Sequence, residues 1–328
     1  MKRPRAPCRF TRPGTPVGTE SSGSKGEGQM SEIEQVGFIG LGLMGTAMSS
    51  ALLGAGFKVK GYDPLPGAGD EVKANGGEMV DTPGATGEGS QLVIVMVPDV
   101  PEVDAVLNGD DGLLKSPGEG RVVMVMCTID PGAVPKFAAQ AKAAGWGYVD
   151  SPVGRTADDA RQGNSMFMVA GSAEDKAAAM PALEAMGTTI IDCGDVGHGM
   201  TCKIVNNFMA TAGAVMVAEA LRLAEAGGVG PDKTLEIVND TLAGNGHSRQ
   251  HFPNKALAGD LNPGFAVKHA RKDVNIARMM MEREGLPCYT APAALAAYDA
   301  ALKRGHGDND WSDLYNVVND IWQENRKG

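Results

Sequence analysis

The stretch that decides the fold is Gln35-Val-Gly-Phe-Ile-Gly40-Leu-Gly42-Leu-Met-Gly45. Its first five residues are typical of a buried strand, its glycines follow the pattern G-x-G-x-x-G, and a helical run continues to Ala55. Gly40 permits the tight turn, Gly42 lets the backbone approach a diphosphate, and Gly45 lets helix and strand pack closely. The free N–H groups and the dipole of the helix N-terminus favour an anion. The stretch therefore predicts a dinucleotide site formed by Gly40, Leu41, Gly42, Leu43, Met44 and Gly45.

The segment after this helix supports the same prediction. Phe57-Lys-Val-Lys-Gly-Tyr62 has the pattern of a second strand, and Asp63 follows directly at its end. A carboxylate at that point accepts hydrogen bonds from the ribose 2′-hydroxyl of NAD(H) and repels the 2′-phosphate of NADP(H). A glycine turn that binds no ligand is the alternative interpretation. The strand, the loop, the helix and Asp63 together favour NAD(H) as the cofactor.

Two further apolar runs, residues 91–97 and 121–126, predict central strands of a parallel sheet that is covered on both faces. In such sheets, ligands bind beyond the carboxyl ends of the strands. The residues at these ends, which we expect near the nicotinamide, are Val97, Pro98 and Thr128. Thr128 could instead cap the helix that follows it.

A long apolar run from Met200 to about Ala226 contains no proline and predicts one buried helix. Lys203, Asn206 and Asn207 occupy positions i, i+3 and i+4, which places all three on one face. Burying an ammonium and two amides without partners is costly. The functional interpretation is a proton-donating lysine with two orienting amides. The alternative is a lysine that extends to solvent from a helix end, beside amides that cap a neighbouring element.

The loop Gly154-Arg155-Thr156 follows a predicted strand at residues 147–150. It combines flexible backbone, a guanidinium and a hydroxyl at the edge of the sheet where ligands bind. Arginine forms bidentate hydrogen bonds to oxyanions. We therefore expect Gly154, Arg155 and Thr156 to bind an anionic group of the substrate, and an arginine on a surface loop is the alternative.

The sequence falls into three parts. Residues 1–32 are basic and rich in proline, glycine and serine, which predicts a disordered tail or an upstream extension of the reading frame. Residues 33–194 alternate strands and helices, whereas residues 195–328 show only helical patterns. The predicted fold is an α/β Rossmann-type, doubly wound N-terminal domain followed by an all-α C-terminal domain. We expect the helical domain to bind substrate and to form a homodimer or homotetramer.

The composition argues against several classes of function. A net charge of −10 and a pI near 5.0 disfavour nucleic acid as a partner. The five cysteines are odd in number and lack C-x-x-C spacing, as expected for reduced thiols of a cytoplasmic protein. The histidines lack acidic or thiol companions at metal-ligand spacing, so no metal site is expected. No run of about 18 apolar residues is free of charges and helix breakers, so we expect no membrane span.

Four motifs, taken in order, resemble those of the β-hydroxyacid dehydrogenases, the family of 3-hydroxyisobutyrate dehydrogenase. They are Gly40-Leu-Gly-Leu-Met-Gly45, Asp150-Ser-Pro-Val153 with the loop that follows, Lys203-x-x-Asn206-Asn207, and Lys272-Asp273-Val-x-Ile-Ala277. The resemblance extends from about Val36 to the C-terminus and implies a two-domain architecture. It also implies that Lys203 is the catalytic acid/base, that Asn206 and Asn207 hold substrate, and that Lys272 closes over the site beside the cofactor.

One departure from the family pattern bears on the substrate. Most members have Ser-Gly-Gly where this chain has Gly154-Arg155-Thr156, and the variant resembles the branch that reduces 3-sulfolactaldehyde to 2,3-dihydroxypropane-1-sulfonate during sulfoquinovose degradation. The three oxygens of a sulfonate match an arginine fork and a hydroxyl. Ala210 stands one turn beyond Asn206, where we would expect a hydroxyl for the anion, and Thr211 or Ser248 could supply it.

These observations predict an NAD(H)-dependent reductase that converts a short anionic aldehyde into its primary alcohol. Carboxylate semialdehydes of the 3-hydroxyisobutyrate, 4-hydroxybutyrate or tartronate type are the alternative substrates. A non-catalytic, NAD-sensing relative that keeps the fold is a third interpretation. The lysine and both asparagines argue against it, since a binding module needs no proton donor.

Overall fold

The computed structural model describes residues 33–327, so the prediction for residues 1–32 lies outside the described part of the chain. The strands are β1 (Gln35–Ile39), β2 (Lys58–Tyr62), β3 (Glu78–Met79), β4 (Leu92–Val95), β5 (Val122–Val125), β6 (Gly147–Asp150), β7 (Val153–Gly154), β8 (Ser165–Gly171) and β9 (Gly187–Gly194). The helices are α1 (Leu43–Gly54), α2 (Asp70–Ala74), α3 (Val100–Asn108), α4 (Val134–Ala143), α5 (Ala157–Arg161), α6 (Ala173–Met186), α7 (His198–Ala226), α8 (Pro231–Asn239), α9 (Phe252–Asn254), α10 (Val267–Arg283), α11 (Thr290–Lys303) and α12 (Leu314–Lys327).

The strands form one sheet, whose order determines where a ligand can bind. The parallel part runs β3-β2-β1-β4-β5-β6, and β8 then pairs antiparallel with β6 and β7 and parallel with β9. Every residue of β4 and β5 is buried, which explains their unbroken apolar sequences. The strand order reverses between β1 and β4, and sheets of this type bind ligands in the crevice at that point. The prediction of a doubly wound α/β domain is confirmed.

After β9 the described chain is helical, and α7 is the centre of this part. It packs against α10, α11 and α12 and also against β8 and β9. Alanine, valine and leucine side chains fill the core of the helical part together with a few large aromatic ones, among them Phe252 and Tyr298. Residues in the first turns of α7 therefore lie between the sheet and the helices. The prediction of an all-α C-terminal part is also confirmed.

By length and composition, α7 is the one helix of residues 33–327 that could cross a membrane, with a mean hydropathy of 1.4. Its inner face supplies part of the helical core, which accounts for much of its apolar character. Its outer face carries an exposed apolar stripe formed by Met209, Met216 and Leu223, whose side chains are 72%, 63% and 76% exposed. We refer to these three residues as the outer stripe.

Candidate active site

The glycine loop between β1 and α1 has the geometry that a dinucleotide requires. Gly40 has a φ of 93°, in the left-handed region that favours glycine. A Cβ on Gly45 would lie 1.9 Å from the carbonyl oxygen of Gly40, so only glycine fits there. A Cβ on Gly42 would meet nothing within 4 Å, and α1 begins after this residue without a side-chain cap. The open space and the uncapped N–H groups fit a diphosphate.

Asp63 lies against this loop. One oxygen of its carboxylate accepts a hydrogen bond from the N–H of Leu41 at 2.7 Å, and the other accepts one from the N–H of Leu65 at 2.9 Å. The side chain is therefore held at the end of β2, next to the glycine turn. This is the place where the sequence predicts recognition of a ribose.

Lys272, on α10, joins the helical part to the carboxyl ends of two central strands. Its ammonium donates hydrogen bonds to the carbonyl oxygens of Pro98 at 3.0 Å and Thr128 at 2.5 Å. Pro98 follows β4 and Thr128 follows β5, so three residues that the sequence predicts near the cofactor meet at one point. Val97 directly precedes Pro98 in the segment after β4 and is partly buried.

The polar residues of α7 are linked by hydrogen bonds to a buried carboxylate on α10. Asn206 is exposed and donates to the side-chain oxygen of Asn207 at 3.1 Å, and the buried Asn207 donates to the carboxylate of Asp273 at 2.6 Å. The second carboxylate oxygen of Asp273 lies 3.8 Å from the ammonium of Lys272. Sequence reasoning assigned Asp273 no role beyond membership of a motif with Lys272. The signal that could have identified it is an acid on the buried face of an amphipathic helix.

The electrostatics of this cluster set the protonation of Lys203. Burial lowers the pKa of the Lys203 ammonium; the charge of Asp273 opposes this shift and the charge of Lys272 adds to it. Burial raises the pKa of Asp273, and Lys272, the hydrogen bond from Asn207 and Lys203 all oppose that shift. A lysine whose pKa is lowered gives up its proton more readily than an ordinary one. The arrangement suits proton transfer by Lys203.

The side chains of the loop after β7 form hydrogen bonds within the described chain. Arg155 has a φ of 72° and directs its guanidinium to the carbonyl oxygen of Asn164 and to the hydroxyls of Thr188 and Thr189. Thr156 caps α5, where its hydroxyl accepts from the N–H of Asp159 and donates to the carboxylate of that residue. Both side chains thus have partners within their own part of the chain, and their binding of a substrate anion stays a prediction. Gly154 is buried in the short pairing of β7 with β8.

Thr211 and Ser248 carry the two hydroxyls that could replace the one missing at Ala210. Both hydroxyls are hydrogen-bonded to other groups of the chain. The hydroxyl of Thr211 donates to the carbonyl oxygen of Asn207 at 2.6 Å, within its own helix. The hydroxyl of Ser248 donates to the side-chain oxygen of Asn239 at 2.6 Å. Both residues are buried. Neither Thr211 nor Ser248 therefore supplies a hydroxyl at the position one turn beyond Asn206.

The glycine loop that leads from β1 into α1, Asp63 after β2 and Lys203 between the sheet and the helices are together typical of one class of protein, the oxidoreductases that use a nicotinamide dinucleotide. Residues 35–194 match the NAD binding domain of 6-phosphogluconate dehydrogenase, and residues 197–318 match the NAD-binding domain of NADP-dependent 3-hydroxyisobutyrate dehydrogenase. The chain belongs to the β-hydroxyacid dehydrogenase family. It is a dehydrogenase that acts on a CH–OH group with a nicotinamide dinucleotide as cofactor, as the sequence predicts.

The relatives are named for different substrates. The chain is 34% identical to 3-sulfolactaldehyde reductase of Escherichia coli strain K12, over 86% of this chain and 95% of that protein. It is 32% identical to 2-hydroxy-3-oxopropionate reductase of the same strain, over 87% of this chain and 97% of that protein. The solved structure of Mycobacterium tuberculosis 3-hydroxyisobutyrate dehydrogenase with L-serine has a TM-score of 0.80 at 27% identity, covering 88% of this chain and 99% of that chain. Membership of the family therefore determines the class of reaction, but it does not determine which hydroxy acid or aldehyde is the substrate.

Proposed function

We propose that this protein is an NAD(H)-dependent reductase of a short anionic aldehyde, with 3-sulfolactaldehyde as substrate and 2,3-dihydroxypropane-1-sulfonate as product. The observation that carries the proposed reaction is the cluster of Lys203, Asn207 and Asp273 beside the strand ends that Lys272 reaches. The proposed substrate is supported by the Gly154-Arg155-Thr156 loop and by the 34% identity to a 3-sulfolactaldehyde reductase.

In the proposed mechanism, the glycine loop and Asp63 would hold a nicotinamide dinucleotide, which would supply hydride chemistry to the aldehyde carbon. Lys203 donates a proton to the developing alkoxide, and in the reverse direction it accepts the proton of the alcohol. Asn207 is held by Asp273, and it orients Asn206, whose exposed amide can bind the substrate. The lowered pKa of Lys203 supports this role because an acid whose pKa is nearer neutrality serves both directions.

The anion of the substrate is assigned to the loop that contains Arg155. The present acceptors of its guanidinium are a carbonyl oxygen and two hydroxyls, all of them neutral. A sulfonate would offer charge-assisted hydrogen bonds, which are roughly twice as strong as neutral ones. Because Arg155 is exposed, its side chain can exchange these partners for the anion without breaking the core.

The test is a comparison of kcat/KM for the NAD⁺-linked oxidation of four alcohols: 2,3-dihydroxypropane-1-sulfonate, 3-hydroxyisobutyrate, 4-hydroxybutyrate and glycerate. We expect a preference of roughly 100-fold for the sulfonate, equal to about 2.7 kcal/mol of transition-state discrimination. A carboxylate that reacts faster than the sulfonate would overturn the substrate assignment and leave the role of Lys203 to be tested separately.

A carboxylate semialdehyde is the second candidate substrate, and one observation favours it. Neither Thr211 nor Ser248 supplies the hydroxyl that a larger anion would use beyond Asn206. A carboxylate has two oxygens and needs fewer donors than a sulfonate. The 32% identity to 2-hydroxy-3-oxopropionate reductase agrees with this alternative. The same four-substrate comparison decides between the two candidates.

A further inference from the structure

Arg155 has a backbone conformation that its neighbours hold in place. Its φ of 72° lies in the left-handed region, which is unfavourable for a residue with a Cβ. On one side of it, Gly154 pairs with Met166 of β8. On the other side, the backbone N–H and the hydroxyl of Thr156 donate to the carboxylate of Asp159 at 3.0 and 2.7 Å. A strained conformation persists only where the surrounding structure determines it, and such residues cluster at ligand-binding sites.

The guanidinium of Arg155 is held by the start of β9 and by the residue that precedes β8. Nη1 donates to the carbonyl oxygen of Asn164 and, at 3.2 Å, to the hydroxyl of Thr188, whereas Nη2 donates to the hydroxyl of Thr189 at 2.9 Å. The hydroxyl of Thr188 gives its own hydrogen to the side-chain oxygen of Asn164 at 2.9 Å, so it acts as an acceptor for Arg155. We refer to Asn164, Thr188 and Thr189 as the arginine clamp.

Within residues 33–327, the arginine clamp leaves one edge of the guanidinium free. Arginine has five N–H donors in a planar fork, and the clamp takes both donors of Nη1 and one donor of Nη2. The donor of Nε and the second donor of Nη2 remain, and these two nitrogens form one edge of the fork. Such an edge suits the bidentate binding of an oxyanion. Arg155 therefore has donors for an anion even without an exchange of its present partners.

We propose that the residues of the arginine clamp are positioning residues, which hold Arg155 so that its Nε and Nη2 edge binds the oxyanion of the substrate. This inference rests on the proposed function, in which the loop that contains Arg155 binds that anion. A long side chain loses rotamer freedom when it binds a ligand, and this loss weakens binding. The clamp has already fixed the guanidinium, so less freedom is lost when the anion binds. Such preorganisation strengthens binding without a new contact to the substrate.

The arginine clamp should affect the binding of substrate rather than the chemical step. The guanidinium contacts the anion, whose charge is the same in the substrate, the transition state and the product. An interaction that is equally strong in the ground state and the transition state changes KM and leaves kcat as it was. Loss of a clamp hydroxyl should therefore raise KM, while kcat and the affinity for NADH stay the same. A residue that only stabilised the fold would not change KM alone.

The experiment uses the full-length protein and NAD⁺, with the alcohol that reacts fastest among 2,3-dihydroxypropane-1-sulfonate, 3-hydroxyisobutyrate, 4-hydroxybutyrate and glycerate. All four are anions, so the test does not depend on which one is the substrate. Thr189→Val removes the hydroxyl and keeps the branched shape, and we expect KM to rise by roughly threefold to tenfold. Thr189→Ser keeps the hydroxyl and should retain the original KM. Thr234→Val, which removes a hydroxyl bonded to the carbonyl oxygen of Gly230, is the matched control elsewhere in the chain and should also retain it.

A double-mutant cycle between Thr189 and Arg155 separates this inference from the proposed function. Arg155→Ala should raise KM, and Thr189→Val in the Arg155→Ala background should raise it no further, because the clamp acts only through the guanidinium. If Arg155→Ala leaves KM unchanged, the assignment of the anion to this loop is wrong and the inference is overturned with it. If Arg155→Ala raises KM but Thr189→Val leaves it unchanged or lowers it, only the role of the clamp is overturned. Additive effects of the two substitutions would also overturn that role.

Discussion

Among single residues, Lys203 carries the proposed chemistry, and its removal is the most direct test. A positioned acid contributes about 100-fold to 10,000-fold to a proton-transfer step. We expect Lys203→Ala to lose turnover by that factor while it still binds NADH, since the glycine loop and Asp63 lie on other elements. Steady-state kinetics and a fluorescence titration with NADH measure the two properties. Lys268→Ala, which removes an exposed lysine paired with Asp308, is the control and should keep full turnover.

The pH dependence of the reaction follows from the same lysine. Because burial lowers the pKa of Lys203 below its ordinary value of 10.5, the ammonium loses its proton at a lower pH than a free lysine. Reduction needs the protonated form, so its rate should fall as the pH rises through the lowered pKa. Oxidation needs the neutral amine, so its rate should rise over the same range. Profiles of kcat/KM in both directions test this, and parallel profiles would contradict the assignment.

Asp63 is the residue that we expect to decide between the two nicotinamide cofactors. Its carboxylate is held by two backbone N–H groups, those of Leu41 and Leu65. Asp63→Asn keeps an acceptor oxygen and removes the charge that would repel a 2′-phosphate. We expect the preference for NAD⁺ over NADP⁺ to fall by tenfold or more, equal to about 1.4 kcal/mol. The ratio of kcat/KM for the two cofactors measures it, and an unchanged ratio would remove Asp63 from cofactor selection.

The sequence predicts which residues belong to the candidate site better than it predicts the contacts between those residues. The glycines and Lys203 could be predicted because spacing along a loop or a helix is a local property. The junction of Lys272 with the carbonyls of Pro98 and Thr128 joins residues far apart in sequence. The hydrogen bonds of Arg155 could not be predicted, because they depend on how β9 is placed beside the loop. Contacts between residues so far apart in the sequence can be identified only from the folded structure.

Among the elements, α7 depends on Asp150 for the position of its first turn. The carboxylate of Asp150 is fully buried and accepts hydrogen bonds from the N–H groups of Gly197 at 2.7 Å and Met200 at 2.9 Å. A Cβ on Gly199 would lie 2.3 Å from the carbonyl oxygen of Met168, so the helix also packs tightly on β8. These contacts fix the start of the helix that carries Lys203.

Removal of this carboxylate should destabilise the protein, and the effect should depend on pH. Asp150→Ala leaves two buried N–H groups without partners, which costs about 1–3 kcal/mol, and Asp150→Asn keeps one acceptor and should cost less. Burial raises the pKa of Asp150 above its ordinary value of 3.8, against the opposing hydrogen bonds. The native state therefore keeps this proton to a higher pH than the unfolded state. The contribution to stability is complete below the unfolded pKa and is lost as the pH rises through the native pKa.

Urea unfolding of the unchanged protein and of Asp150→Asn, from about pH 4 to pH 8, measures this dependence. We expect the unfolding free energy of the unchanged protein, relative to that of Asp150→Asn, to fall as the pH rises. A difference that grows with pH would show that the native carboxylate is favoured in its charged form. That result would contradict the raised pKa.

The sequence predicts the elements with unbroken apolar runs well, and it predicts the short elements and the proline-containing helix α6 poorly. The long helix and the central strands follow from unbroken apolar runs, which few other structures can accommodate. Helix α6 does not appear in the sequence-based prediction; its segment contains Pro181, which ordinarily ends a helix. The π-helical turn at His247–His251 and the two-residue strand β7 also lack a sequence signal. Their conformations are decided by packing rather than by local preference.

At the scale of the whole molecule, α10 joins the two halves at two points along its length. Near its middle, Lys272 donates to carbonyls that follow β4 and β5. At its C-terminus, Arg283 forms two hydrogen bonds with the carboxylate of Asp130, which follows β5, at 3.0 and 3.1 Å. The sheet and the helical part are thus held together around the candidate site, where both supply residues.

The outer stripe on α7 bears on the prediction of a homo-oligomer. Met209, Met216 and Leu223 recur every seven residues, which is the repeat of a helix that packs along its length against another helix. The helical core occupies the opposite face of α7, so a second copy of this chain is the partner that we predict for the stripe. A symmetric pair of α7 helices would bury the same three residues of each subunit.

Replacing Met216, at the middle of the stripe, should separate the subunits. Met216→Lys would put two charges close together at the symmetry axis, where their burial and repulsion oppose association. Light scattering coupled to size-exclusion chromatography should show a dimer or tetramer for the unchanged protein and a smaller species for Met216→Lys. Leu242→Lys is the matched control, because Leu242 is fully exposed outside the stripe. A monomeric unchanged protein, or an oligomer that tolerates Met216→Lys, would place the subunit contact elsewhere or exclude it.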